Sequence, residues 1–469
     1  MLTANTDSAP VEIICDIFRH ATRLPPLNCD EKSRVLFRER LDTLLALTGS
    51  CGRWRAIALA DPTLWTDIFV DVMSPDLLRL HLERSAGLHL NVIITDPHPV
   101  THSIICDEAY RFRRFIVDDM KLSPIWGDAF PNAASHLEEL RIDAHPGYPS
   151  LGFLVPVFDG SLPKLRSLQL RNVPFWSIGM FKGLKHLEFA NGAQTLPLFI
   201  PLILDVLQAS PLLETLFIET CCVLPDPRYV CTVATLPNLR RLRVTSDAVS
   251  KVLHLIDVPP SANIEIARSF CDVAEPGVNV LSCLHPDLPW INFLDGVRDV
   301  TILLNTDVMS VRMGNCRGGV VTIDVKDIPI GAYGLDDVMP PRYSPLLINT
   351  FDAVSQLTSL KSIVSLSIIV PEEARSTLLY TAVEGFTSPE WRHLLQHLEN
   401  QESLAVPLPF ALLPMQVVIL SSSNYTMVCL TLQQVSIATD IPADEAHGEQ
   451  LRRITKFLQA RHYGKGYKE

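Results

Sequence analysis

One spacing constrains this chain more than any other property: an apolar residue, two positions, a second apolar residue, one position, and a third. It occurs at Phe112/Phe115/Val117, Leu137/Leu140/Ile142, Leu165/Leu168/Leu170, Leu184/Leu187/Phe189, Leu213/Leu216/Ile218 and Leu239/Leu242/Val244. The first positions stand 25, 28, 19, 29 and 26 residues apart. In each triplet the last two apolar residues alternate, so they point to one face of a short strand. Self-similarity at such a period predicts stacked supersecondary units, each burying its apolar edge only against its neighbours. Successive strands then lie parallel, and the chain returns between them through a helix or a loop. Leu202 to Ala209 reads as one such returning helix, ended by Ser210-Pro211. Weaker copies follow at Val297/Val300/Ile302, Ile363/Leu366/Ile368 and Met427/Leu430/Leu432. The polar residues between the apolar ones face solvent, which makes Arg166, Gln169, Arg241 and Arg243 candidate contacts for a macromolecular partner.

The flanks of this series are less regular. Ser74 suits a helix cap, Pro75 a first turn, and Leu77, Leu78, Leu80 and Leu82 follow before Gly87. Leu88 to Ile94 then reads as a strand. From about residue 255 to 350 the pattern blurs under Pro259, Pro260, Pro276, Pro286 and Pro289. Gly314 to Gly319 reads as a turn between strands at Val311–Met313 and Val320–Val325, and residues 325–350 read as a long surface loop. Leu451, Ile454, Phe457 and Leu458 predict a terminal amphipathic helix, so either the array closes on a helix or the sequence stops short of a further strand.

Composition removes several classes of function. With 469 residues, 47% hydrophobic, the chain buries a core and is not disordered as a whole. A formal charge of −12 argues against a nucleic-acid-binding surface. The eleven cysteines form no Cys-x-x-Cys pair and an odd count, which fits buried thiols in a reducing compartment better than a disulfide framework. No secretory leader is evident in Met1 to Pro10, and no apolar run approaches the ~20 residues of a membrane span. The expectation is a cytoplasmic or nuclear protein. Phosphate-loop, dinucleotide and nucleophile-elbow motifs are missing. His393 and His397 stand four apart, yet Leu394 occupies the place where the zinc-protease pattern needs glutamate. No catalytic residue, metal ligand or cofactor is assigned.

The first seventy residues have a different character and read as three helices. Val11, Ile14, Ile17 and Phe18 share a face in the first, with Pro10 in its opening turn. Leu41, Leu44 and Leu45 lie in the second. Gly49-Ser50 marks a bend, and a third helix runs from Cys51 through Trp54 and Ile57 to about Ala60, stopped by Asp61-Pro62. Trp65 and Ile68 follow in an extended piece. So many large apolar side chains exceed what three short helices can bury among themselves, so some face a neighbouring domain or a partner.

The stretch from Ala9 to Phe18 resembles the opening helix of an F-box, Leu44 to Ala58 resembles its second half with the Cys-x-Arg-Trp core intact, and Asp61 to Trp65 resembles its closing Pro-x-Leu-Trp. Ala9 stands where leucine is usual, Ser50 and Gly52 where an apolar and a basic residue are common, and the gap from Phe18 to Leu44 is longer than usual. Along most of its length the chain is similar to the large family of F-box proteins with degenerate leucine-rich repeats in mushroom-forming fungi. That resemblance implies an α/β fold: a helical F-box-like module at 1–70, a linking helix and first strand at 71–110, and an irregular leucine-rich-repeat solenoid over 111–469, degenerate after about 255. It implies docking onto a Skp-type adaptor of a cullin–RING ubiquitin ligase through Pro10, Ile13, Ile17, Phe18, Leu44, Leu45, Cys51 and Trp54, with the repeats holding a target protein. The alternative is an interaction scaffold whose helices only cap the repeats. A third reading, a hydrolase within 255–350, needs a deep pocket with convergent polar groups.

Overall fold

A computed structural model describes residues 9–23, 31–95, 99–120, 133–144, 158, 162–173, 181–191, 198–220, 223–224, 233–245, 252–269, 281, 296–304, 308–326, 363–369, 403–407 and 434–438. The chain forms two compact units, Met1–Val230 and Cys231–Glu469. Both mix helices or turns with strands that are mostly parallel.

The first unit opens with α1 (Val11–Ala21), α2 (Glu31–Ser50) and α3 (Gly52–Ala60). Pro10 lies just outside α1, at its cap. Gly49 and Ser50 do not bend the chain but finish α2. The break falls at Cys51, whose sulfur accepts a hydrogen bond from the Trp54 amide at 3.4 Å and caps α3. Trp65 ends a 3-10 turn (Pro62–Trp65) and is not in an extended piece; β1 (Asp67–Phe69) begins two residues later. Then come α4 (Pro75–Arg84), β2 (Leu90–Ile94), α5 (Pro99–Cys106), β3 (Phe112–Met120), β4 (Glu139–Ala144), β5 (Ser167–Arg171), β6 (His186–Asn191), β7 (Leu198–Phe199), α6 (Ile200–Gln208), β8 (Thr215–Thr220) and β9 (Val223–Leu224). Ser74 caps α4 by accepting from the Leu77 amide at 3.2 Å, and the turn after it passes through Gly87 at φ +77°.

Strands β1, β2, β3, β4, β5, β6 and β8 pair in that order, every pair parallel. Register turns the triplets into continuous rows. Ile68, Val92, Phe115, Leu140, Leu168, Leu187 and Leu216 stand side by side, and so do Ile94, Val117, Ile142, Leu170, Phe189 and Ile218. Every residue in both rows is buried. Burial of a side chain this size is worth roughly 1.5–3 kcal/mol, so each added strand contributes through two row positions and the leading triplet residue. The equivalence of the repeats extends to the backbone: the residue after each leading position donates to the carbonyl of its counterpart one strand earlier. Glu138 to Arg113, Arg166 to Glu138, Lys185 to Arg166 and Glu214 to Lys185 all measure 2.8 Å.

The second unit holds β10 (Ala234–Thr235), β11 (Arg241–Thr245), β12 (Ile256–Asp257), β13 (Asn263–Ser269), β14 (Val297–Leu304), β15 (Met309–Asn315), β16 (Val320–Lys326), β17 (Ser365–Ile369), β18 (Ser403–Pro407) and β19 (Gln434–Ala438). Its strands run β11, β13, β16, β15, β14, β17, β18, β19. Parallel pairing fails at one place, because β15 is antiparallel to both β14 and β16. The cause is connection length. A parallel crossover needs a dozen residues or more. The β15–β16 link is a tight turn at Cys316–Gly319 in which the Asn315 side chain accepts from the amides of Arg317 and Gly319, at 2.9 and 3.0 Å. The expected turn at 314–319 is therefore present, and it imposes a meander on the array. Alternation survives the inversion: Leu242, Ile264, Val321, Met313, Val300 and Leu366 form one buried row.

Met427/Leu430/Leu432, His393, His397 and the terminal helix lie outside the described residues, as does the long loop expected over 325–350 except for Val325 and Lys326, which belong to β16. Among the described residues no helix is long and apolar enough to cross a membrane.

Inside the first unit, His81 of α4 is fully buried with its ring edge-on to Trp65, 4.9 Å between centroids. Burial, aided by the Arg40 charge, pushes its pKa down to about 4. The unfolded chain takes up this proton near pH 6.5, so stability is lost as pH falls from there toward 4. Chemical denaturation at pH 7 and pH 5 is expected to show the wild type losing about 2 kcal/mol more than His81→Leu between those values. Equal losses in the two proteins would rule this out.

Candidate docking surface

Three helices and the 3-10 turn at Pro62–Trp65 build a small core around Ile14, Phe18, Leu44, Leu47, Ile57, Ala58, Leu64 and Trp65. Ile14 and Phe18 are one turn apart on α1, so a single stripe of that helix is committed to this core. The ring of Phe18 meets Trp54 of α3 edge-on at 5.3 Å. Trp65 donates its indole N–H to the Ala58 carbonyl at 2.9 Å, closing the turn onto α3.

Polar clamps fix α1 against the rest. Asp61, almost wholly buried, accepts from the Arg19 guanidinium at 3.0 Å and from the Thr63 hydroxyl at 2.6 Å. Arg53 of α3 donates to the Ala9 carbonyl at the head of α1. Arg55 donates to the Thr48 carbonyl at 2.8 Å, satisfying an acceptor that the last turn of α2 leaves open.

What the core does not use is informative. Val11, Ile13 and Ile17 of α1 are 49%, 51% and 54% exposed, with Ile13 and Ile17 one turn apart. Val35, Leu36 and Leu45 of α2 are exposed as well. Pro10 and Cys51 are exposed and Trp54 is half-buried. Phe18 and Leu44 stand apart from the other residues expected to dock: both are completely buried and support the helices from beneath. Sequence reasoning missed Val11, Val35 and Leu36 as exposed apolar positions. Their neighbours in α2, Phe37, Leu41 and Leu44, follow helical spacing and are the buried set, which is the signal that could have separated them.

This helical layer is not an independent bead. Phe37 of α2 packs on Phe69 of β1 at 5.3 Å between ring centroids, and Arg40 pairs with Asp67 of β1 at 3.2 Å. Arg40 is buried and also donates to the carbonyls of Thr22 and Leu64, at 2.8 and 3.0 Å.

On the strands, the outward positions carry a charged network. Arg171 of β5 pairs with Glu188 of β6 at 2.6 Å, and Asp143 of β4 lies near Arg141 and Arg171 at 3.9 and 4.0 Å. Burial raises Asp143 above the ordinary carboxylate value, against the pull of both arginines. Gln169 is half-buried beside Arg141 and Glu188 in register. Arg166 is exposed, and its guanidinium donates to the carbonyls of Leu165 and Gly183 at 3.2 and 3.3 Å. In the second unit Arg241 and Arg243 are exposed, Arg243 standing opposite Glu265. Two of these four residues belong to each unit.

Of the four cysteines the structure describes, Cys106 alone is buried, while Cys51 and Cys316 are exposed and Cys15 lies between. The expectation of buried thiols holds for a minority of them. Cys106 lies 3.6 Å from the His102 ring. Burial pushes its thiol up to about 12, and burial lowers His102, so the pair is a neutral contact and not an activated thiolate–imidazolium.

Truncation distinguishes the two stripes of α1. Phe18→Ala is expected to cost about 3–5 kcal/mol in denaturant unfolding, whereas Ile17→Ala costs about 0.5 kcal/mol or less. Similar losses would contradict this division of the helix.

No protein-family model matches the chain, and no curated protein matches it.

Proposed function

We propose that the chain is a substrate-recognition adaptor of a Skp–cullin–F-box ubiquitin ligase, acting in the cytoplasm or nucleus. In this reading the N-terminal helices are an F-box and the strand rows are degenerate leucine-rich repeats. The supporting observation is the double face of α1: Ile14 and Phe18 are used up in the core, while Val11, Ile13 and Ile17 are left in water beside it. Exposed apolar side chains grouped on one short helix are the composition of an interface centre more than of a solvated surface. Pro10, Leu45, Cys51 and Trp54 join Ile13 and Ile17 at the Skp-type adaptor. Phe18 and Leu44 act only by holding those helices in place.

The polar positions of the strands, among them Arg166, Gln169, Arg241 and Arg243, face the target protein. The chain performs no chemistry. It raises the effective concentration of the target near a ubiquitin-charged enzyme.

The packing of Phe37 on Phe69 and of Arg40 on Asp67 favours a second reading. These helices also cover the end of a strand array, and a cap needs no adaptor.

Co-purification separates the two. The full chain is expected to form a stoichiometric complex with a Skp-type adaptor, and Ile13→Asp with Ile17→Asp is expected to abolish it while leaving the circular dichroism spectrum unchanged. An adaptor that never binds, or that binds the double variant equally, would falsify the ligase reading.

A further inference from the structure

A cleft of about 890 Å³ opens in the first unit between α1, α2 and strands β1 to β3. Four arginines line it, Arg19, Arg23, Arg40 and Arg114, against one acid, Asp67. Two of these cations are already answered from outside the cleft, Arg19 by Asp61 and Asp16 and Arg114 by Glu139. Arg23 is exposed and has no ion pair among the described residues.

Arg40 is the more telling group. Its side chain is 4% exposed, and its Nε and Nη2 are spent on the Thr22 carbonyl, the Leu64 carbonyl and Asp67. Nη1 is buried and has no hydrogen-bond partner among the described residues. An unanswered donor of this kind costs about 1–3 kcal/mol, more when the group is charged. Arg40 itself lines the cleft, so a group bound there is the acceptor this donor lacks. Phe37, against which the Arg40 guanidinium stacks at 5.5 Å, and Ile93 make the floor apolar, which strengthens an ionic contact there.

We infer that this cleft binds a small phosphate-bearing anion, with Arg23 supplying the free charge at the rim and Arg40 the deep donor. The volume falls within the range of small-molecule sites. Guanidinium forks match phosphate oxygens in pairs. A tetrahedral group can meet donors arriving from two directions, Arg23 just past the end of α1 and Arg40 on α2, whereas a planar carboxylate satisfies one fork. The site is independent of adaptor docking, because it uses neither Ile13 nor Ile17.

Calorimetric titration of the full chain with pyrophosphate at constant ionic strength tests the assignment. Saturable binding with a rise in Tm is expected, and Arg23→Glu is expected to weaken it at least about tenfold, or ~1.4 kcal/mol, with an unchanged Tm in the absence of pyrophosphate. Arg79→Glu, at an exposed arginine of α4 outside the cleft, should bind as the wild type does. No saturable binding at millimolar pyrophosphate would overturn the site, as would equal binding by Arg23→Glu. An equal loss in Arg79→Glu would overturn the site by reducing it to general attraction, and citrate binding as tightly as pyrophosphate would overturn the phosphate assignment.

Discussion

Everything in both units depends on keeping the side-chain alternation of neighbouring strands in phase. A slip of one residue would turn a whole strand's apolar set outward. Here the rows hold phase over seven strands from Ile68 to Leu216, although the steps between leading residues vary from 19 to 29. Phase is therefore set locally, where the residue after each leading position docks its amide on the preceding strand. The length and form of the return between strands are left free. Loop closure grows only slowly more costly with length, so irregular returns are tolerated thermodynamically. The meander of β14, β15 and β16 is the strongest case. Chain direction reverses twice, yet Val300, Met313 and Val321 still meet in one row.

The same strands also carry the helices. The row of Ile68 and Val92 faces the core, while Asp67 and Phe69 point the other way, toward α2. Phe69 receives Phe37 and Asp67 receives Arg40. Burying the Arg40–Asp67 pair carries a desolvation cost that its attraction only partly offsets. Burial accordingly lowers the Arg40 pKa, and Asp67 works against that shift. Such a pair is a poor source of stability but a demanding positional lock, since losing either partner strands the other charge. It fixes α2 to β1 at one register.

How much of this was legible in the sequence follows from the kind of signal each part leaves. Six strong triplets, from Phe112 to Val244, all became strand rows, because their pattern is local and its period short. Strand β13 was not read as a repeat. Its alternation at Ile264 and Ile266 is intact, but the leading position three residues before Ile264 is Ser261, so the triplet is broken while the strand remains. Strand β19 was not read as a repeat either, although it places Val435 opposite Leu404 and Ile437 opposite Val406 with the same alternation. Strand β15 was legible at Val311–Met313 with its turn toward Val320, but its antiparallel pairing with β14 was not, since alternation carries no direction. At the candidate site the helices and most exposed residues were legible. The burial of Phe18 and Leu44, by contrast, depends on which apolar stripe of each helix the neighbours claim, and so does the Arg40 contact with Asp67. Both are tertiary facts that periodicity cannot contain.

These constraints bear on how α1 could serve a partner. A short helix alone would be only marginally formed in water, and ordering it on binding would consume part of the interaction energy. Here Asp61 holds Arg19, Arg53 holds the carbonyl of Ala9, and Ile14 with Phe18 is sunk in the core, so the helix is tied at both ends and along one side. Ile13 and Ile17 are then presented on a backbone whose ordering is already complete. Because α2 is in turn locked to β1, the apolar stripe has a fixed orientation relative to the strand rows of its own unit. For an adaptor that fixed geometry would matter more than the affinity of either face, since a tether raises effective concentration only if both ends can be engaged at once.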